Sequence, residues 1–174
     1  MSALDAGFDQ VKINTVLIGG FNDDEISALA NLTREYPVDL RFIELMPMYD
    51  GGDFGPEAFI PYSVVTDALP KLLPVEQNGG VAKLYRFPDG KGHVGLISPL
   101  SDHFCGTCNR LRVTADGNIK PCLHAKEEFS VKGMEFDEMR EMIKRAVAAK
   151  PACHGALSYE NRSEAGRYMN QIGG

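Results

Sequence analysis

The chemistry of this chain gathers in one short stretch, Cys105-Gly-Thr-Cys108 followed by Cys122. The first two cysteines share a tight knuckle, and thirteen residues separate Cys108 from Cys122. Thiolates spaced this way hold a metal centre, and three of them leave one coordination position for another ligand. Spacing alone leaves two centres open. One is a closed Cys₃His zinc site, with His124 or His103 as the fourth ligand. The other is an iron–sulfur cluster on three thiolates, with one iron open to water or substrate. Cysteines also occur as small apolar core residues, but that role does not call for a knuckle.

The residues between the thiols say how they are positioned. Arg112-Val113-Thr114 reads as a short strand, and Asp116-Gly117 as a two-residue hairpin turn with Ile119 starting the return. That turn sets Leu111 opposite Cys122 and leaves all three sulfurs at the open end of the hairpin. Arg110 and Arg112 alternate along the outgoing strand, so both project from the same face beside the thiols. Paired guanidiniums beside a metal centre suit an anionic ligand, a phosphate chain above all. They tilt the choice toward the open cluster.

The run Cys105-Gly-Thr-Cys108-Asn-Arg110-Leu-Arg112-Val-Thr-Ala-Asp-Gly-Asn-Ile-Lys-Pro-Cys122-Leu resembles the C-terminal cluster motif of the GTP 3′,8-cyclase family, radical S-adenosylmethionine enzymes that open molybdenum cofactor biosynthesis. Val11-Lys12-Ile13-Asn14-Thr15-Val16, the segment from Gly20 to Ile26, and Arg41-Phe42-Ile43-Glu44-Leu45-Met46 also match family segments. So do Lys150-Pro151 with His154, and the closing Ile172-Gly173-Gly174. The family's N-terminal Cys-x₃-Cys-x₂-Cys loop is not in this sequence, so the resemblance is to the C-terminal half.

The resemblance implies a role for each matching residue. Cys105, Cys108 and Cys122 would bind a [4Fe–4S] cluster whose open iron meets the guanine base. Lys12, Arg41, Arg110 and Arg112 would hold GTP. Met46 would pack on S-adenosylmethionine, and Gly173-Gly174 would enter the active site of the intact enzyme, while here the tail is expected to fray. Without the missing half no turnover is expected; the expected partners are GTP, that N-terminal half and, in a homodimer, a second copy of this chain. Cys153 falls outside the spacing and reads as a structural or free thiol, and His154 as a structural hydrogen-bonding residue. The rival is a non-enzymatic zinc module, closed by His124, that binds a nucleotide or a partner protein.

Composition and patterning set the frame. With 174 residues and 44% apolar content, one compact core is within reach. The net charge of −6 gives no general attraction to nucleic acid or to acidic membranes. No long apolar run or signal peptide is visible, so a soluble, cytoplasmic protein is expected, and clustered cysteines favour metal over disulfides.

The expected fold class is α/β, and the resemblance implies residues 1–60 as the last units of an incomplete (β/α)₆ barrel, then 61–174 as an α+β cluster-binding region. A strand from Val11 to Ile18, a helix from Asp23 to about Tyr36 and a strand from Leu40 to Met46 make a parallel βαβ unit. A helix from Ser63 to Leu73, strands at Ala82–Phe87 and Gly92–Ile97, and a helix from Asp137 to Ala149 follow. In that last helix the stripe Met139, Met142, Ile143, Ala146 and Val147 reads as core.

Overall fold

The computed structural model describes residues 2–48, 54–76 and 79–172. The chain divides into two compact units, residues 1–45 with 55–104, and residues 46–54 with 105–174. The class is mixed α/β, as expected.

The first unit holds helices α1 (Ser2–Asp5), α2 (Ile26–Glu35) and α3 (Ser63–Ala68). Its strands are β1 (Val11–Leu17), β2 (Val38–Glu44), β3 (Leu73–Pro74), β4 (Lys83–Arg86) and β5 (His93–Ile97). They form one sheet in the order β1-β2-β5-β4-β3. β1, β2 and β5 run parallel, and β4 and β3 add antiparallel. The sheet extends past residue 60, because β5 pairs with β2.

Side chains on alternate positions of a strand leave opposite faces. On one face Leu17, Leu40, Phe42, Val94 and Leu96 meet Ile26 and Ala30 of α2 in the main core. The other face carries Lys12 and Asn14, both exposed, and half-buried Arg41. The β1 pattern therefore alternates along its whole length.

The expected helix from Ser63 stops at Ala68, five residues early. Pro70 has no N–H to donate and disfavours helical geometry at the residue before it, and Leu69 has left the helical region at φ −125°, ψ 63°. Leu73 and Pro74 then pair with β4 instead.

The second unit holds a three-stranded antiparallel sheet, β6 (Arg112–Val113), β7 (Asn118–Lys120) and β8 (Phe129–Ser130), with helices α4 (Phe136–Ala148) and α5 (Met169–Ile172). The stripe expected to be core is only partly so. Ala146 is buried and Met139 and Met142 half-buried, while Ile143 is 38% and Val147 53% exposed. A sheet of such short strands is too narrow to cover the full width of the stripe.

Candidate functional site

Cys105–Thr107 forms a single 3₁₀ turn, and the Cys108 N–H donates to the Cys105 carbonyl at 3.1 Å. The knuckle is therefore a real turn that brings the backbones of Cys105 and Cys108 together. The hairpin beyond it differs from expectation by one residue. Arg112 pairs with Lys120 and Val113 with Ile119, and the Thr114 N–H donates to the Asn118 carbonyl at 2.8 Å. The loop is thus Ala115-Asp116-Gly117, three residues closed by Gly117 at φ +83°, the usual geometry of a three-residue hairpin loop. A slip of one residue moves every side chain to the other face. Extended outward, this register sets Arg110 opposite Cys122, replacing the expected Leu111.

Two lysines, neither evident from sequence as positioning residues, hold this hairpin. The Lys150 ammonium donates to the carbonyls of Arg110 (2.9 Å) and Pro121 (3.0 Å), clamping the two chains that carry Cys108 and Cys122. Lys120 is fully buried, and its ammonium donates to Ala125 O (2.7 Å), Glu128 Oε1 (3.1 Å) and Ala165 O (3.3 Å). Three donors meet three acceptors, which is what makes a buried ammonium tolerable.

All four cysteines are free thiols, and only Cys153 is exposed. The sulfurs of Cys105 and Cys153 lie within 4.8 Å of each other. A hydrogen bond with Cys105 raises the Cys153 thiol pKa, with desolvation and the charges of Cys105 and Cys122 acting the same way. Cys153 is therefore drawn into the thiol group that its sequence spacing had excluded. Burial lowers the Arg112 pKa first, and the neighbouring Arg110 lowers it further, while Cys122 and Cys108 oppose the shift. Arg112 thus stands among Arg110, Cys108 and Cys122. Two cations held close together are a standing demand for an anion.

The histidines behave differently. His124 is buried, shares a 3.0 Å hydrogen bond between its Nδ1 and Ser163 Oγ, and meets the His154 ring edge-on at 4.9 Å. Burial first, then His154 and Arg112, push its pKa down to about 4, so the ring is neutral at pH 7. One ring nitrogen is therefore already engaged. His103 stands two residues before Cys105 in the chain. Met46 packs with Met48, Ala165 and Ile172 in the small core of the second unit. The glycine pair Gly173-Gly174 lies outside the described residues.

The first unit presents a second cationic station. Lys12 pairs with Asp39, and Arg41 with Asn14 and Gly95, so both basic side chains leave the same sheet face. Asp39 is taken up by His93 Nδ1 (2.9 Å) and by the Gln10 amide, which donates to it at 3.1 Å. The Arg41 Nε is buried and has no hydrogen-bond acceptor among the described residues. Gly95 makes room for it: a Cβ there would sit 3.0 Å from Arg41 Cγ. Glu44, at the end of β2, accepts the N–H groups of Tyr62, Leu100 and Ser101 at 3.1 Å each and the Ser101 hydroxyl. It anchors the loop that leads toward Cys105. No periodicity marks a carboxylate for such a task.

The family pattern described as Molybdenum Cofactor Synthesis C matches residues 38–156. The chain belongs to that family. It is 42% identical over 172 residues to a GTP 3′,8-cyclase of Alkaliphilus oremlandii, covering 97% of this chain and 53% of that protein. A GTP 3′,8-cyclase of Pelotomaculum thermopropionicum is 44% identical over 185 residues, covering 99% of this chain and 56% of the relative. One from Clostridium botulinum is 38% identical over 175 residues, with 99% and 54% covered. The chain therefore spans about half the length of the curated relatives it matches.

For this Molybdenum Cofactor Synthesis C protein the donor set at the hairpin base is sulfur, with guanidinium charge beside it. That chemistry fits a thiolate-bound centre and an anionic ligand. The scaffold underneath has its own pH signature. Arg167 donates to both Glu128 carboxylate oxygens at 2.6 Å and to Asp116 Oδ2 at 2.9 Å. Arg167 first, with Lys120 adding to it against desolvation, holds the Glu128 carboxyl below its usual 4.5. A depressed carboxylate contributes stability above its unfolded value that is lost as pH falls through its folded value. The melting temperature should therefore drop between roughly pH 5 and pH 3, and drop less in Glu128→Gln. Equal slopes in a thermal melt of both proteins would remove Glu128 from this role.

Proposed function

We propose that this chain is the GTP-holding, second-cluster portion of a radical S-adenosylmethionine GTP 3′,8-cyclase of molybdenum cofactor biosynthesis, and that residues 1–60 are the last units of its partial barrel. The observation that carries it is the hairpin register, which extended outward sets Arg110 opposite Cys122, with Arg112 on β6 beside them. The names and identities of the relatives support it.

In this role Cys105, Cys108 and Cys122 hold a [4Fe–4S] cluster, which when bound supplies an iron with a position open to the purine base. Arg110 and Arg112 take triphosphate charge beside it. Lys12 and Arg41 offer the same charge from the sheet face, and Met46 contributes to the S-adenosylmethionine site. Contacts of this kind would hold the ribose and the base of GTP in one orientation, so that C3′ and C8 stand ready to join. Orientation of this kind contributes several kcal/mol to a ring closure. Generating the radical falls to the Cys-x₃-Cys-x₂-Cys loop of the enzyme's other half, so the chain alone binds GTP without converting it. We place the chain in the cytoplasm and pair it with a second copy along β1, which lies at the edge of the sheet order. Light scattering reads that pairing as a mass above 19.1 kDa.

The test is anaerobic loading with iron and sulfide, followed by calorimetry with GTP. Brown protein with iron and sulfide in equal amounts, binding GTP more tightly than the metal-free chain, is the expected result. A colourless chain that takes up one zinc and binds GTP no better sinks the proposal. A companion prediction concerns Gly95. Gly95→Ala forces the Arg41 stem to shift by a few tenths of an ångström and should weaken GTP binding several-fold, with the thermal melt showing the sheet still folded. Unchanged affinity would take Arg41 out of the site.

A further inference from the structure

The pattern that the resemblance implies uses three cysteines, and the fourth cysteine of the chain has no place in it. The fold nevertheless brings that residue to the same spot. Cys153 lies on the segment that follows α4, and the segment is fastened on both sides of it. Three residues before, the Lys150 ammonium is bonded to the carbonyls of Arg110 and Pro121, each within two residues of a cluster cysteine. One residue after, the His154 ring packs edge-on against His124, two residues beyond Cys122. Between these fastenings the Cys153 sulfur comes within 4.8 Å of the Cys105 sulfur. A segment pinned so closely to the strands that carry Cys108 and Cys122 has little choice over where its middle residue sits. The Cys153 side chain is exposed.

We propose that Cys153 is a fourth thiolate for this centre, capping the iron that three-cysteine sites leave open. The proposal rests on the cluster assignment made above for Cys105, Cys108 and Cys122. The step is ligand exchange. The Cys153 S–H loses its proton to solvent, one iron–sulfur bond forms, and the water on that iron leaves. No electron moves, and the oxidation state of the cluster is unchanged. The cap protects the labile iron when GTP is absent, and GTP must displace it to reach the metal. This chain therefore has a resting, four-thiolate form and a substrate-bound, three-thiolate form.

The experiment uses the full chain and its Cys153→Ala variant, both loaded anaerobically with ⁵⁷Fe and sulfide, and Cys122→Ala as a ligand-loss control. Iron and sulfide are quantified before any spectrum is taken. Wild type should show four closely similar irons by Mössbauer spectroscopy, and Cys153→Ala one distinct iron beside three alike. Mild ferricyanide oxidation should convert Cys153→Ala to the three-iron form, read by electron paramagnetic resonance, several-fold faster than wild type. If wild type already shows one distinct iron, and the conversion rates are equal, Cys153 is no ligand. If no variant takes up iron and sulfide, the cluster assignment itself fails, and the iron analysis alone reveals it. Circular dichroism of Cys153→Ala confirms the fold, which an exposed side chain should not disturb.

Discussion

Replacing Arg112 with alanine should lower the affinity of the iron-loaded chain for GTP by about 10- to 100-fold, the equivalent of one charge-assisted hydrogen bond of about 1.5–3 kcal/mol. The expectation follows from where the guanidinium sits. It is half-buried, its charge is disfavoured by burial and by Arg110, and its compensation comes from Cys122 and Cys108. A cation held at a cost in a partly dry place gains most when an anion arrives. Arg112→Lys should fall between wild type and alanine, because an ammonium keeps the charge and loses the two-pronged fit to phosphate. Calorimetry at two salt concentrations checks this, with a thermal melt to confirm that the hairpin survives. An alanine variant that binds GTP as tightly as wild type would remove Arg112 from the site.

The second large effect is expected at Lys120, at the end of β7. Lys120→Met keeps the volume of the side chain and removes three hydrogen bonds inside a closed environment. The Ala125 and Ala165 carbonyls lose their donor, and Glu128 keeps only Arg167. We expect a loss of about 2–4 kcal/mol in urea unfolding, with iron uptake falling because Lys120 lies on the strand that leads into Cys122. An unchanged midpoint would mean that water replaces the ammonium at no cost. The contrast with Lys150 is instructive. Lys150 is half-buried, with its bond to Arg110 exposed and its bond to Pro121 partly buried, so its loss should loosen the knuckle more than it unfolds the unit.

How much of this was legible beforehand differs residue by residue. The knuckle was readable because a two-residue gap between cysteines leaves few local conformations. β1 and β2 were readable because alternation and β-branched runs report a buried strand directly. The end of α3 is hidden in the sequence despite Pro70, because the apolar run continues past it into β3. The hairpin register was missed by one residue: Asp-Gly signals both two- and three-residue loops, and only the Thr114–Asn118 pairing decides between them. Lys120, Lys150 and Glu44 carry no local signal at all. Their partners are distant in the chain or are backbone carbonyls, which no sequence pattern records.

By itself the sequence determined which side chains were available: three cysteines on a knuckle and a returning strand, two arginines beside them, two more basic residues on strands. These follow from short-range geometry, where one or two torsions settle the outcome. Only the tertiary structure decided which groups share a neighbourhood, and it moved Cys153 into the thiol group and turned His124 toward Ser163. The reason is physical. Placing residue 153 beside residue 105 takes the closure of a long loop, and what holds it shut is the clamp of Lys150 and the packing of two rings, neither of which exists until the chain has folded.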